Sequence, residues 1–250
     1  MSSSLDIRVF PAPTDLFPAA VSEFKKLALS AIQARGKFTV ALSGGSTPKS
    51  LFKLLAALPA GEIPWDKVYF FFGDERHVPP DNPDSNFKMA NETLLSKINA
   101  RPKNIFRIQA ELDADVAAKN YEQQLIQFFQ LKSGQFPRFD LIMLGLGPDG
   151  HTASLFPGSK GLAEKQRLVI ANWVEKFNTS RITFTYPVLN QTACAMFLVA
   201  GADKADAARG AIVDKKQGPP AGSVDPTDGT LLWFLDQAAA TKLPANLQKA

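Results

Sequence analysis

The apolar positions of this chain follow two alternating rhythms. Residues 5–10 alternate apolar and polar side chains as an edge strand does; Pro11 and Pro13 then stop the run, with Asp15 as the expected cap of the next element. From Phe17 to Ile32 the spacing changes: Phe17, Ala20, Val21, Phe24, Leu27, Ala28, Ala31 and Ile32 recur at helical intervals up to Gly36. That pattern predicts a helix laid on a sheet. Short β-rich strands follow at 38–42, 67–72 and 105–108, a run of four apolar residues at 141–144, strands at 168–171 and 181–185, a buried one at 193–201, and a last one at 230–235. Between them, helical periodicity marks the region from Leu51, then 87–98, 113–131 and 205–213, while 157–166 and the Pro/Gly-rich 215–228 read as loops.

Strands alternating with helices predict an α/β fold of Rossmann-like type: a doubly wound, mostly parallel sheet flanked by helices, its loops gathered along one edge. No repeat or linker divides the chain, so one domain spanning 1–250 is expected.

Three predicted strands run into loops rich in glycine and polar groups, and ligands of open α/β sheets bind outside such strand ends. The strand at 38–42 leads into Ser43, Gly44, Gly45, Ser46, Thr47 and Pro48 ahead of a helix, a geometry in which freed backbone N–H groups and the helix dipole attract an anion. An ordinary capped turn is the plain alternative, since neither the Walker lysine pattern nor G-x-G-x-x-G is present. The strand at 67–72 leads into Gly73, Asp74, Glu75, Arg76 and His77, and the apolar run 141–144 breaks into Gly145, Gly147, Pro148, Asp149, Gly150 and His151. His151 is one of only two histidines in the chain.

Composition removes several classes. Lys and Arg number 28 against 24 Asp and Glu, and the positive residues are scattered, so a nucleic-acid surface is not indicated while a small anionic substrate is. The single cysteine, Cys194, lies in an apolar run where a buried, inert thiol is expected. Two histidines and one such cysteine offer no metal-ligand spacing. No apolar run approaches a membrane span and the first residues lack a leader pattern, so no membrane association and a cytoplasmic location are expected.

Taken together, SGGSTP at 43–48, FFGDERHVPPDNPDSN at 71–86 and LGLGPDGHTASLFPGS at 144–159 resemble the 6-phosphogluconolactonases, part of a wider family that also holds glucosamine-6-phosphate isomerase/deaminase. RITFTYPVLN at 181–190 and VAGADKADA at 199–207 extend the similarity over nearly the whole chain. The resemblance implies hydrolysis of 6-phospho-D-glucono-1,5-lactone to 6-phosphogluconate, the second step of the oxidative pentose phosphate pathway, with neither metal nor organic cofactor. It also implies a small-molecule sugar-phosphate lactone as the partner, in a monomer or weak homodimer. In the isomerase/deaminases the histidine motif continues into Asn-Glu-Pro; here Ser154, Leu155, Phe156 and Pro157 stand in that place, without a carboxylate.

Lactone opening needs a base for water and an acid for the departing ring oxygen, and a group whose ordinary pKa is ~6.5 serves both. His151 is the candidate, with Asp149 orienting it or the water. Gly44, Gly45, Ser46 and Thr47 are candidate phosphate donors, and Arg76, Arg181 and Lys204 candidate cations. Asp74 has a place in the pocket by analogy with the isomerases' proton-moving aspartate, or joins Glu75 in fixing Arg76. His77 reads as structural, and Asn86 as a helix cap or a sugar-hydroxyl ligand. Neither Ser43 nor Ser154 sits in the G-x-S-x-G elbow of a serine esterase. An isomerase/deaminase and a non-catalytic sugar-phosphate sensor are the competing readings.

Overall fold

The computed structural model describes residues 4–248. Its elements are β1 (Ser4–Phe10), α1 (Pro13–Arg35), β2 (Phe38–Leu42), α2 (Ser46–Ala56), β3 (Val68–Phe72), β4 (Asp74–Arg76), α3 (Asn86–Ala90), α4 (Ala114–Phe129), β5 (Leu141–Leu144), β6 (Val169–Val174), β7 (Thr179–Phe184), α5 (Tyr186–Asn190), β8 (Cys194–Val199), α6 (Ala205–Arg209), β9 (Thr230–Asp236) and α7 (Gln237–Ala240). Six strands form an all-parallel sheet in the order β1-β9-β8-β5-β2-β3. Every residue of β2, β5 and β8 is buried, as expected of central strands covered on both faces.

The winding explains where a site forms. Starting from the edge strand β1, the chain crosses to β2, which lies four strand spacings, about 19 Å, away. The 23-residue α1, ~34 Å long at 1.5 Å per residue, spans that distance and packs on β1, β2 and β9. From β2 the chain winds outward to β3, then returns to β5 on the other side of β2 and continues to β8 and β9. The loops after β2 and β5 therefore diverge, leaving a crevice at the carboxyl ends of these two strands.

A second sheet stands over that crevice. Beyond β3 the chain does not enter a loop, as the charged run 73–77 suggested; β4 pairs antiparallel with β7, and β7 with β6. Gly73 joins the two sheets, its N–H donating to Leu42 O (2.9 Å) and its C=O accepting from Phe184 N (2.8 Å).

Other expectations are corrected locally. Asp15 lies inside the first turn of α1, which follows Ala12 and opens on Pro13, so it caps nothing. The helix expected at 87–98 starts at Asn86 and widens into a π-turn at Asn91–Leu95. The stretch 105–108 is no strand, because it makes a single bridge, Ile105 with Phe70. Its work is to cover the open edge of β3: Phe106 N–H donates to Phe70 O (2.8 Å) and Asn104 Nδ2 to Val68 O (3.2 Å). The fully buried Tyr121 of α4 completes the cover, its hydroxyl accepting from Phe72 N (2.8 Å) and donating to Phe72 O (3.2 Å).

Tyr121→Phe strips both partners from a buried peptide group. We expect a loss of about 1–3 kcal/mol of stability with an unchanged denaturant slope in urea unfolding; a loss of only a few tenths would mean that water replaces the hydroxyl.

Candidate active site

A cleft of about 290 Å³ opens at the crevice. It takes Ser43 to Pro48 from the β2–α2 loop, Asp74 and Arg76 from β4, Asn86 from α3, Gly145 to Pro148 and His151 from the β5 loop, Arg181 from β7, and Lys204 from the turn after β8. Of the residues expected at a site, only Asp149 is missing from this lining, and it bonds His151 from behind.

The β5 loop is built to present the imidazole. Gly147 N–H donates to His151 O and Gly150 N–H to Gly147 O, both at 2.9 Å, and the loop is tied outward by Ala221 N–H to Gly150 O at 3.0 Å. No helix follows, so His151 has none to cap. The ring instead lies on the bare Cα of Gly147, where a Cβ would stand 2.0 Å from His151 Nδ1. Its other contact is Phe156, stacked at a centroid distance of 4.0 Å. Asp149 Oδ1 lies 2.5 Å from Nδ1, which places the ring proton on Nδ1 and leaves Nε2 as the proton acceptor. Partial burial raises the Asp149 pKa, but the bond and charge of His151 and a bond from Lys176 outweigh it, and the net direction is down.

The loop after β2 supplies donors. Gly45 has φ 106°, a left-handed conformation suited to glycine, and precedes α2. Gly44 packs so tightly on Asn86 that a Cβ would meet Oδ1 at 1.9 Å. Ser46 and Thr47 occupy the first turn of α2, where N–H groups are unpaired.

Arg76 and Arg181 are direct cross-strand partners of β4 and β7. Like charges facing each other destabilise a sheet unless an anion answers them. Burial, and after it the Arg76 charge, holds the Arg181 pKa below its usual value, against the pull of Asp74, Glu75 and Asp84. Arg181 Nε is buried without a partner, and its guanidinium stands 5.2 Å from the Phe177 ring centre. Lys204 follows Gly201, whose N–H is held by both carboxylate oxygens of buried Asp236 at 3.0 and 3.1 Å, and Lys204 Nζ contacts Asp203 at 2.9 Å.

Three local expectations fail for definable reasons. Glu75 does not fix Arg76 by a salt bridge; its side chain turns inward and accepts the N–H groups of Arg76, Asn86 and Phe87 and the Ser85 hydroxyl. Arg76 donates instead to Asp84 O at 2.5 Å. Burial pushes the Glu75 carboxyl up, opposed by those backbone bonds. The cap of α3 is Ser85, and Asn86 is buried one position later, donating to Asp74 O (3.0 Å) and Oδ1 (3.3 Å). Ser154, set aside as a nucleophile, donates to Asp74 Oδ2 at 2.7 Å. His77 bonds Leu112 O, in keeping with a structural residue, and Cys194 is buried.

Phe156, Phe177 and Lys176 carried no motif by which sequence reasoning finds them. The nearest signal was the Arg76/Arg181 register, which requires the antiparallel pairing. Among the described residues, no group of three or more His, Cys, Asp or Glu is arranged to hold a metal ion.

The model of the glucosamine-6-phosphate isomerases/6-phosphogluconolactonase family matches residues 11–233. The chain is 40% identical to the 6-phosphogluconolactonase of Nostoc sp., over 95% of this chain and 98% of that one. It is 44% identical to that of Synechocystis sp., over 85% and 88%. Among solved structures it is similar to the 6-phosphogluconolactonase of Trypanosoma cruzi, with a TM-score of 0.86 and 28% identity over 98% of this chain and 99% of that one. A monomeric glucosamine-6-phosphate deaminase, at a TM-score of 0.75 and 19% identity over 96% and 99%, shares the fold. With a family match that runs from the first helix into the last strand, and relatives covered nearly end to end, the chain belongs to the glucosamine-6-phosphate isomerase/6-phosphogluconolactonase family.

Proposed function

We propose that this protein hydrolyses 6-phospho-D-glucono-1,5-lactone to 6-phosphogluconate, with His151 as the proton-transfer group. The observation that carries the reading is the Asp149–His151 pair at 2.5 Å on a cleft that also holds a glycine loop and three cations. The lactonase relatives support the choice of substrate.

His151 Nε2 takes a proton from water as the water oxygen bonds to the lactone carbonyl carbon. The tetrahedral intermediate collapses with cleavage of the bond to the ring oxygen, which receives the proton from Nε2. Asp149 keeps the imidazole in the Nδ1–H form and stabilises the imidazolium between the two transfers. Only one group is needed because the two transfers run in opposite directions. Phosphate is received by Gly44, Gly45, Ser46 and Thr47 at the positive end of α2, with Arg76, Arg181 and Lys204 supplying charge. The isomerase/deaminase alternative loses support from Ser154 to Pro157, where the chain offers no carboxylate.

Proton release on adding freshly made lactone, less the spontaneous rate, tests the reading. His151→Ala should lower kcat by about 10²–10⁴-fold; an unchanged rate would remove the residue from the mechanism. Glucosamine 6-phosphate should release no ammonia.

Arg181→Ala and Lys204→Ala each remove a charged partner from the cleft. Each should lower kcat/KM about ten- to a hundredfold, mainly through KM, at on the order of 1.5–3 kcal/mol per lost charged bond. Unchanged kinetics in both would exclude them from phosphate or carbonyl binding.

A further inference from the structure

The turn joining β6 to β7 belongs to none of the motifs, yet it reaches both members of the Asp149–His151 pair. Lys176 Nζ lies 3.3 Å from Asp149 Oδ2, the oxygen that does not face the imidazole. The next residue, Phe177, meets Phe156 edge to face at 5.8 Å, and Phe156 is the ring stacked on His151. Asn178, at φ 48°, turns the chain back into β7, which carries Arg181. The turn is thus the outer wall of the imidazole site, built on the small sheet, while the imidazole itself is held by the large one.

We propose that Lys176 is a positioning residue that tunes His151 through Asp149, by holding the carboxylate from the side opposite the ring. This rests on His151 being the proton-transfer group of the lactonase reading. The electrostatic logic is direct. A carboxylate shared with an ammonium stabilises an imidazolium less than a free one does, so Lys176 keeps His151 readier to release its proton. Lys176 also leaves Asp149 less free to swing from Nδ1, which fixes the tautomer that exposes Nε2. The other charged groups lining the cleft are Asp74 and Arg76 on β4, Arg181 on β7 and Lys204 after β8. They are the same in every variant below. Glu175, beside Lys176, accepts from Trp173 Nε1 at 2.8 Å and so is held away from the pair.

The chain's two histidines make the test readable. Imidazole resonances of the full-length protein, titrated by NMR, report His151 directly, with His77, bonded to Leu112 O, as an internal control. The Lys176 side chain is 58% exposed, so its effect is of surface-pair size. In Lys176→Met the His151 midpoint should rise by about 0.2–0.7 pH unit. The acid limb of the kcat/KM profile should move up by the same amount, so that activity is lost at a higher pH as the medium is acidified. Lys176→Arg should restore both, 1 M salt should shrink the difference, and the His77 midpoint should stay in place.

If the His151 midpoint does not move in Lys176→Met, or moves equally in Lys176→Arg, the inference is overturned. If the midpoint rises while the kinetic limb stays, the coupling stands and the assignment of His151 as the proton-transfer group falls.

Discussion

The peptide of Gly73 holds the molecule's two sheets together. With one bond given to β2 and one received from β7, it turns a strand leaving a parallel sheet into the first residue of an antiparallel one. Everything across the cleft from the glycine loop depends on that junction. Asp74 and Arg76 follow it directly, and Arg181 is placed by register against Arg76. A parallel sheet with a crevice at its switch point offers backbone donors and one catalytic loop but few opposing charges. The small sheet brings those charges to the other wall.

That wall is costly in isolation. Two arginines face each other in register, and Arg181 is half-buried with an unpartnered Nε. The acids in reach are committed elsewhere: Glu75 to four donors, and Asp74 to Ser154 and Asn86. A structure selected for stability alone would pair these guanidinium groups. Leaving them without a carboxylate keeps a positive field in a desolvated cleft, where a doubly charged phosphate gains most from it. Ala153, at φ 47° on the cleft wall, is a second local strain of this kind.

Much of this was legible in the sequence, and what was not has a common cause. The central strands, α1, α4 and the glycine loops announce themselves because burial on both faces or a 3.6-residue rhythm leaves a local trace. The antiparallel β4-β7-β6 sheet does not: β4 has three residues, all charged, and reads as a turn until its partner, over a hundred residues away, is known. The residues 105–108 have strand composition, but their pairing is a single bridge because their role is to close an edge. Charge adjacency also misled, for Glu75 beside Arg76 suggests a salt bridge, whereas alternation along β4 sends the two side chains to opposite faces. His151 and Asp149 stood out as motif residues, while Lys176 and Phe177, brought in by the hairpin, did not.

Two aspartates stand close to the cleft, and their surroundings separate their capacities. Asp74 is buried, with Ser154 Oγ on one oxygen and Asn86 Nδ2 on the other. Neutral donors on both oxygens leave it anchored, and a proton taken up there would have to displace one of them. Asp149 is partly exposed and shares its oxygens between an imidazole and an ammonium. It has no reason to move a proton itself, since its bond to Nδ1 favours the charged ring. A scaffold that elsewhere in its family handles amino sugars is thereby biased toward a single-histidine hydrolysis. The bias comes from what fills the oxygen valences of two carboxylates, more than from any rearrangement of the fold.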